Sequence, residues 1–153
     1  MTGLRLVQLL TLVALALALV PAGAHLFEMR AKLALSPEAY MQVQTLYAGW
    51  ALFGIPIYLA LALLLILCWL HSSTGAALAL TFLALVLLAA TQGIFWAYTQ
   101  PMNEATRNWT VLPSNLAAAR TQWEYSHALN AVLTFLAFTC AAAAVIRFQP
   151  RRY

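Results

Sequence analysis

Four long apolar segments follow one another along the chain, with shorter polar stretches between them. They span about residues 4–26, 46–70, 76–98 and 123–146. About 20 apolar residues in a helix cross a ~30 Å hydrocarbon layer, and each segment is long enough to do so. The pattern predicts a single-domain, all-α integral membrane protein, built as an antiparallel four-helix bundle.

The two longer connections, residues 27–45 and 99–122, carry most of the polar side chains. Ser36 followed by Pro37 is typical of a helix start, and residues 112–115 also resemble the beginning of a short helix. We expect these connections to form a polar extracytoplasmic cap at one end of the bundle. A short turn, residues 71–75, closes the other end.

The second apolar segment contains residues that interrupt regular helices. Gly49, Gly54 and Pro56 lie within it. Small residues let helices approach closely, and proline favours a kink. The pattern therefore predicts close packing and a bend inside this span.

Composition supports a membrane protein and argues against several other classes. The chain of 153 residues is 64% hydrophobic and 8% charged, far from the balance of a soluble domain. Its net charge of +4 comes from scattered basic residues without a basic stripe, so nucleic-acid binding is not expected. Cys68 and Cys140 lie in apolar runs and are expected to be buried thiols, not a disulfide.

Basic residues give the orientation prediction. Four lie near the chain termini without acidic neighbours, and four lie in the opposite loops beside four glutamates, so a simple count is indecisive. The acid-free terminal cluster and the short turn at His71 favour cytoplasmic termini, in the plasma or inner membrane if the source is bacterial. An alternative is a signal peptide cleaved after Ala24. The terminal basic residues are Arg5, Arg147, Arg151 and Arg152, and the loop ones are Arg30, Lys32, Arg107 and Arg120.

Two acid–histidine pairs face the predicted cap. His25 and Glu28 end the first span, and Glu124 and His127 begin the fourth. Residues three apart share one face of a helix, so each helix offers an imidazole and a carboxylate. Ionisable groups at membrane depth usually face the interior of a bundle and indicate a functional site. We expect the first and fourth helices to lie side by side with both imidazoles in a shared chamber.

These four side chains also define a candidate metal site. Glu-x-x-His pairs on facing helices hold metals in ferritin-type bundles. A nitrogen and oxygen ligand set of His25, Glu28, Glu124 and His127 suits zinc, copper or iron. A purely structural network is the third interpretation: Glu124 pairing with Arg120 or Arg107, Glu28 with Lys32, and His127 with Asn130.

Other polar and aromatic residues gather at the same end. Gln92, Trp96 and Thr99 recur at helical spacing near the end of the third span, and Gln44 and Tyr47 do so at the start of the second. Trp109 and Trp123 fit interfacial anchors as well as substrate contacts. The candidate substrate-binding residues are Gln92, Trp96, Asn103, Trp109 and Tyr47.

The longest polar connection carries a family resemblance. The chain resembles the anthrone-oxygenase-like family of small four-span membrane proteins, much of which is a bacterial domain of unknown function. The resemblance covers most of the chain and is densest between residues 99 and 130. Its motifs here are Pro101-Met102-Asn103-Glu104-Ala105-Thr106, Asn108-Trp109-Thr110, Leu112-Pro113 and Arg120-x-x-Trp123-Glu124-x-x-His127.

That resemblance implies oxidation of an anthrone to an anthraquinone by dioxygen, without an evident cofactor. A base must remove an acidic C–H proton, and His127 tuned by Glu124 is the candidate, with His25 beside it. Arg107, Asn103 or Gln92 would stabilise the resulting oxyanion. The substrate is then a flat hydrophobic molecule from the bilayer, and residues 101–121 form a lid.

Two other functions stay open. One is a transition-metal-binding membrane protein that uses the four ligands above. The other is a non-catalytic subunit or scaffold whose polar cap docks a membrane partner or a second copy.

Overall fold

The apolar segments form long helices, as their composition predicts. A computed structural model describes residues 3–148. Within that range the chain forms helices and turns without a strand. The α-helices are α1 (Gly3–Leu33), α2 (Pro37–Gln44), α3 (Gly54–Leu70), α4 (Gly75–Ile94), α5 (Gln100–Ala105) and α6 (Leu116–Arg147).

Four helical stretches of the described chain are long and apolar enough to cross a membrane. α1 packs against α3 and α6, and α4 packs against the same two helices, so the four form a closed ring. The all-α four-helix bundle is therefore confirmed, and the chain is a multi-pass membrane protein. The four stretches are Gly3–Leu33, Trp50–Leu70, Gly75–Ala105 and Leu116–Arg147.

Small side chains bring the helices together. α6 buries a stripe of alanines at spacings of three and four residues, including Ala137, Ala141 and Ala144. Such residues allow close backbone approach, which favours association of helices in lipid. Large apolar residues such as Val20 and Phe135 point outward, as expected where the surrounding solvent is lipid.

Two helices extend well beyond the predicted spans. α1 continues to Leu33 and α6 already begins at Leu116, so parts of the predicted loops 27–45 and 99–122 are helical. A helix does begin after residues 112–115, as expected, but it is α6 itself and not a separate short helix. Asn115 caps α6 by accepting a 3.2 Å hydrogen bond from the Ala118 amide, and the alanine-rich turn that follows favours uninterrupted helix.

The predicted bend of the second span lies before its α-helix. α3 starts at Gly54, and Pro56 occupies its first turn, where a missing amide proton costs no helical hydrogen bond. The change of direction occurs at Gly49, whose φ of 85° is in the left-handed region. Two short 3-10 turns, Thr45–Tyr47 and Trp50–Phe53, flank it. By contrast, the predicted start of α2 is confirmed, because Ser36 caps it and Pro37 is its first residue.

The two ends of the bundle differ. The loop end carries the connections 34–53 and 95–115, and the turn end carries the turn 71–74. At the turn end, buried His71 bonds Gln8 at 3.1 Å and Thr81 at 2.8 Å, and its ring stacks on Phe148. Which end faces the cytoplasm stays a prediction, and Arg151 and Arg152, on which it partly depends, lie outside the described residues.

Candidate functional site

The first and last helices lie side by side and bring two imidazoles together at the loop end. The ring centroids of His25 and His127 are 4.2 Å apart, with an interplanar angle of 34°. His25 is buried and His127 is partly buried. The predicted pairing of these two rings is thus confirmed, although their chemical roles stay predictions.

Aromatic side chains surround the histidine pair. Trp123 lies 5.0 Å from His25 and 4.2 Å from His127, between ring centroids. Tyr47 and Trp50 reach His25 from the connection before α3, at 4.6 and 5.4 Å. These three rings, Tyr47, Trp50 and Trp123, are called the aromatic box below. They shield the imidazoles and provide flat apolar surfaces.

A buried ion pair lies directly beside the aromatic box. The Lys32 ammonium is 2.8 Å from Glu124 Oε1, and both side chains are almost wholly inaccessible. The Tyr40 hydroxyl donates a 2.9 Å hydrogen bond to that same carboxylate oxygen. The ammonium also lies 4.7 Å from the Tyr47 ring centroid and 4.9 Å from that of Trp123, within cation–π range. Glu124 therefore forms the ion pair with Lys32 and accepts the hydrogen bond from Tyr40.

Several buried polar atoms near this ion pair have no hydrogen-bond partner within residues 3–148. They include Glu124 Oε2, His25 Nδ1 and both amide atoms of Gln44. Buried polar groups in proteins nearly always have a partner, so such atoms are suited to water or to polar groups of a ligand. The cluster thus combines a close ion pair with free hydrogen-bonding capacity.

Two tyrosines connect the cluster to its surroundings. Burial and the Glu124 carboxylate raise the pKa of Tyr40, and burial and the Glu28 carboxylate raise the pKa of Tyr47. Both hydroxyls therefore stay protonated and donate. Tyr47 donates to Glu28, which lies on the exposed side of α1.

Asn103 holds two tryptophans in place behind the cluster. Its Oδ1 accepts hydrogen bonds from the indole nitrogens of Trp123 at 2.9 Å and Trp109 at 3.3 Å. Trp109 is buried and also contacts Tyr40, with centroids 5.4 Å apart. Asn103 and Trp109 thus support the cluster, and Tyr47 forms part of it, while the substrate-binding roles expected of all three stay predictions.

The turn that carries Trp109 is strained. Arg107, Asn108 and Trp109 all have positive φ, between 48° and 62°, although none is glycine. Left-handed backbone costs roughly 1–2 kcal/mol per such residue. Thr106 stabilises the turn, since its hydroxyl accepts from the Trp109 amide at 3.0 Å. This backbone returns the Trp109 ring to the bundle but leaves the Arg107 side chain exposed, so no contact of Arg107 with the cluster supports its predicted catalytic role.

A π-helical turn removes another predicted residue from the site. α4 buries Thr81, Ala84, Leu88 and Thr91 at spacings of three and four, but the π turn Phe95–Thr99 adds one residue to the repeat. Thr99 is consequently buried, and its hydroxyl oxygen lies 2.7 Å from that of Ser126, within hydrogen-bond distance. Trp96, in contrast, is 59% exposed.

Gln92 also stays apart from the cluster. Its side-chain amide donates to the hydroxyl of its neighbour Thr91 at 3.2 Å. The helical spacing on which the prediction for Gln92 and Trp96 relied does not continue through the π turn. Neither residue supports a substrate-binding role here.

The four proposed metal ligands do not converge. Glu124 bonds Lys32 and Tyr40, and Glu28 bonds Tyr47, so only the two histidines are adjacent. In the part of the chain that the structure describes, no group of three or more His, Cys, Asp or Glu side chains is arranged to hold a metal ion. The arrangement offers two imidazole ligands at most and disfavours the metal hypothesis.

A separate shallow groove lies on the opposite side of α6. Its volume is about 250 Å³. It is lined mainly by apolar and tyrosine side chains of the α4 and α6 helices and contains none of the cluster's ionisable groups. The lining residues are Ile94, Tyr98, Gln122, Tyr125, Ser126 and Leu129.

Sequence reasoning missed three members of the cluster. Lys32 follows His25 by seven residues, so the helical repeat places both on one face, which is a usable signal. Tyr40 precedes Gln44 by four residues on α2, and both are buried. Trp50 lies at the start of the second spanning stretch, where no local pattern distinguishes it from a lipid-facing aromatic residue.

Comparison of the chain with models of protein families, with curated proteins and with solved structures found no match.

Proposed function

We propose that this protein is a membrane enzyme that deprotonates a flat hydrophobic substrate and lets the resulting anion react with dioxygen. An anthrone-like molecule, with an acidic C–H next to a conjugated carbonyl, is the substrate class implied by the family resemblance. The observation that supports the proposal best is the pair of imidazoles, 4.2 Å apart, beside a buried ammonium group.

The histidine pair supplies the base. A neutral imidazole has one ring nitrogen that accepts a proton. His25 Nδ1 is buried without a partner among the described residues, and a base needs such a free nitrogen within reach of the substrate. His127 lies against the same ring, and the two imidazoles act as one unit that takes the proton and shares its charge, so both are needed. Glu124 does not tune His127 in this scheme, because its carboxylate is bonded to Lys32.

Lys32 supplies the electrostatic stabilisation. Removal of the substrate proton places negative charge on the carbonyl oxygen, and a fixed cation in a water-poor site stabilises such charge strongly. Glu124, which also accepts a hydrogen bond from the Tyr40 hydroxyl, holds the ammonium in place. Lys32 thus takes the role that the sequence predicts for Arg107, Asn103 or Gln92.

The tryptophans give the site its affinity for a flat ring. Trp50, Trp109 and Trp123 all lie within one layer of rings around the histidines and Tyr40. Planar aromatic ligands gain from offset or edge-to-face contacts with such rings. A hydrophobic substrate would reach this layer from the surrounding lipid.

The reaction balances without a further reductant. The base removes one proton from the substrate CH₂ group, and the carbanion transfers electrons to dioxygen and combines with it to form a peroxide anion. Protonation of this anion and loss of water from the hydroperoxide give the ketone. In sum, CH₂ and O₂ become C=O and H₂O, and the imidazole is regenerated.

A rate assay tests the proposal. Protein purified in detergent is incubated with anthrone under air, while quinone formation and oxygen consumption are followed. His25→Ala, His127→Ala and Lys32→Met should each lower the rate above buffer by roughly 10²–10⁴-fold, the usual size of acid–base and electrostatic contributions. His71→Gln, which changes a histidine at the turn end, is the matched control and should stay within about twofold of the wild type, far below those losses.

Two results would contradict the proposal. One is a wild-type rate equal to that of buffer for anthrone and for related activated-methylene compounds. The other is a rate that survives both histidine substitutions while the thermal unfolding of the variants stays normal.

A further inference from the structure

The segment whose Tyr47 and Trp50 rings cover His25 contains no fully buried residue. This segment, residues 45–53, is called the flap. Only Tyr47, Trp50 and Phe53 are partly buried, and Leu46 and Leu52 are each 70% exposed. Segments with few buried contacts open at the lowest free-energy cost in a folded protein.

The backbone of the flap is suited to bending at one point. Gly49 lies at its centre with φ of 85°, between two 3-10 turns of three and four residues. Such short turns have poorer hydrogen bonds than α-helix. A Cβ built on Gly49 meets no atom within 4 Å, so the glycine is there for its conformation and not for space.

The flap nevertheless places one ring deep in the cluster. The Tyr47 ring lies 4.6 Å from His25 and 5.9 Å from Trp123, and the Lys32 ammonium is 4.7 Å from its centroid. Its hydroxyl points the other way, to the exposed Glu28 carboxylate. Tyr47 is therefore held as a ligand would be, through ring contacts, a cation–π contact and one hydrogen bond.

We infer that the protein has a binding site for a hydroxylated aromatic ring, formed by His25, Lys32, Trp123 and Glu28, and that Tyr47 fills it when the flap is closed. A ligand of this class displaces the Tyr47 ring as the flap opens about Gly49. Its ring then contacts the imidazole, the ammonium and the indole, while its hydroxyl bonds Glu28. This site rests on the proposed function only for the expectation that a substrate is aromatic.

Binding of p-cresol, the side-chain analogue of tyrosine, tests this site. Tyr47→Ala removes the internal occupant, so p-cresol no longer competes with it. If the open flap is a minor state of roughly 1–10%, the apparent affinity should rise on the order of 10–100-fold over the wild type. Tryptophan fluorescence of the protein in detergent measures the affinity. Tyr58→Ala, which removes an exposed tyrosine from α3, is the matched control and should leave it unchanged.

The hydroxyl contact has its own test. In Tyr47→Ala, toluene should bind about fivefold more weakly than p-cresol, because it lacks the bond to Glu28. This preference should vanish in Tyr47→Ala/Glu28→Ala. Glu28→Ala alone leaves every ring in place but releases Tyr47. Toluene, which makes no bond to Glu28, should therefore bind this variant about threefold to tenfold more tightly than the wild type, whereas p-cresol, which loses its own bond there, should gain little.

The site is overturned if Tyr47→Ala binds p-cresol no better than the wild type, or no better than Tyr58→Ala. If Tyr47→Ala does not fold, Glu28→Ala decides: unchanged toluene affinity there also overturns the site. Because p-cresol has no C–H next to a carbonyl, its binding is independent of turnover. Loss of the oxygenase proposal would therefore leave this result intact, and turnover without p-cresol binding would contradict only the flap.

Discussion

Replacing Lys32 by methionine should unfold this protein more readily than almost any surface change. The substitution keeps much of the side-chain volume but leaves the fully buried Glu124 carboxylate without its cation. At 2.8 Å and an effective dielectric constant of about 20, the attraction that is lost is about 6 kcal/mol. The remaining bond from Tyr40 and local rearrangement offset part of it, so we expect a loss of about 3–5 kcal/mol in the free energy of unfolding.

Thermal unfolding in detergent measures this loss. At roughly 2–4 °C per kcal/mol for a chain of this size, Tm should fall by about 6–20 °C. Glu104→Gln is the control, since the exposed Glu104 side chain accepts a hydrogen bond from Gln100, and it should change the free energy by less than about 0.5 kcal/mol. Lys32→Met/Glu124→Gln removes both charges yet keeps an acceptor for Tyr40.

The double variant tests whether Lys32 and Glu124 stabilise the protein as a pair. It should recover at least about 2 kcal/mol relative to the sum of the two single losses, because neither charge is then left unpaired. A Lys32→Met loss no larger than that of Glu104→Gln would refute the buried ion pair. So would strictly additive losses in the double-mutant cycle.

The remaining predictions concern the turn end, the indole contacts and the glycines. Burial lowers the pKa of His71, so the unfolded chain binds a proton at this residue more readily than the folded chain does. The stability that neutral His71 contributes should be complete above about pH 6.5 and should be lost as the pH falls through the lower pKa of the folded state. Thermal unfolding of His71→Gln at several pH values should lack this part of the pH dependence. Asn103→Leu should cost about 2 kcal/mol in thermal unfolding, since two indole donors lose their acceptor; unchanged stability would contradict the contacts. Gly49→Ala should lower the free energy of unfolding by about 1 kcal/mol, because Gly49 has a positive φ. Gly93→Ala, in α4, should raise it by roughly 0.5–1 kcal/mol, because the added Cβ meets no neighbouring atom. Changes in Tm of the same sign in the two variants would contradict this difference.

Local sequence patterns predicted the architecture well. Long apolar runs in lipid leave the backbone no alternative to helix, so four spanning helices and their antiparallel order follow from composition and length. The cap of α2 by Ser36 is equally local, because a hydroxyl three residues before an unbonded amide forms that contact wherever the chain lies. Even the approach of His25 to His127 could be expected, since helical rise places both at the same depth.

Pairing between charged groups could not be predicted in this way. Local spacing offered Lys32 to Glu28 and Arg120 to Glu124, both four residues apart. The folded chain instead pairs Lys32 with Glu124, and Arg120 donates to the Leu35 carbonyl oxygen at 3.0 Å. A buried carboxylate needs a cation far more than an exposed one does, so burial, which tertiary packing decides, outweighs proximity along the helix.

Helical periodicity and lipid exposure act locally, so the amino-acid pattern alone specifies the four spanning helices and the end of the bundle at which most polar groups gather. The exposed position of Trp96 depends instead on tertiary packing, because this residue lies inside a π turn that interrupts the regular helical repeat. The tertiary structure also decided that Arg107 points away and that Tyr47 enters, because left-handed backbone at residues 107–109 and at Gly49 sets those directions. Such backbone reversals depend on contacts with distant residues, which no local pattern records.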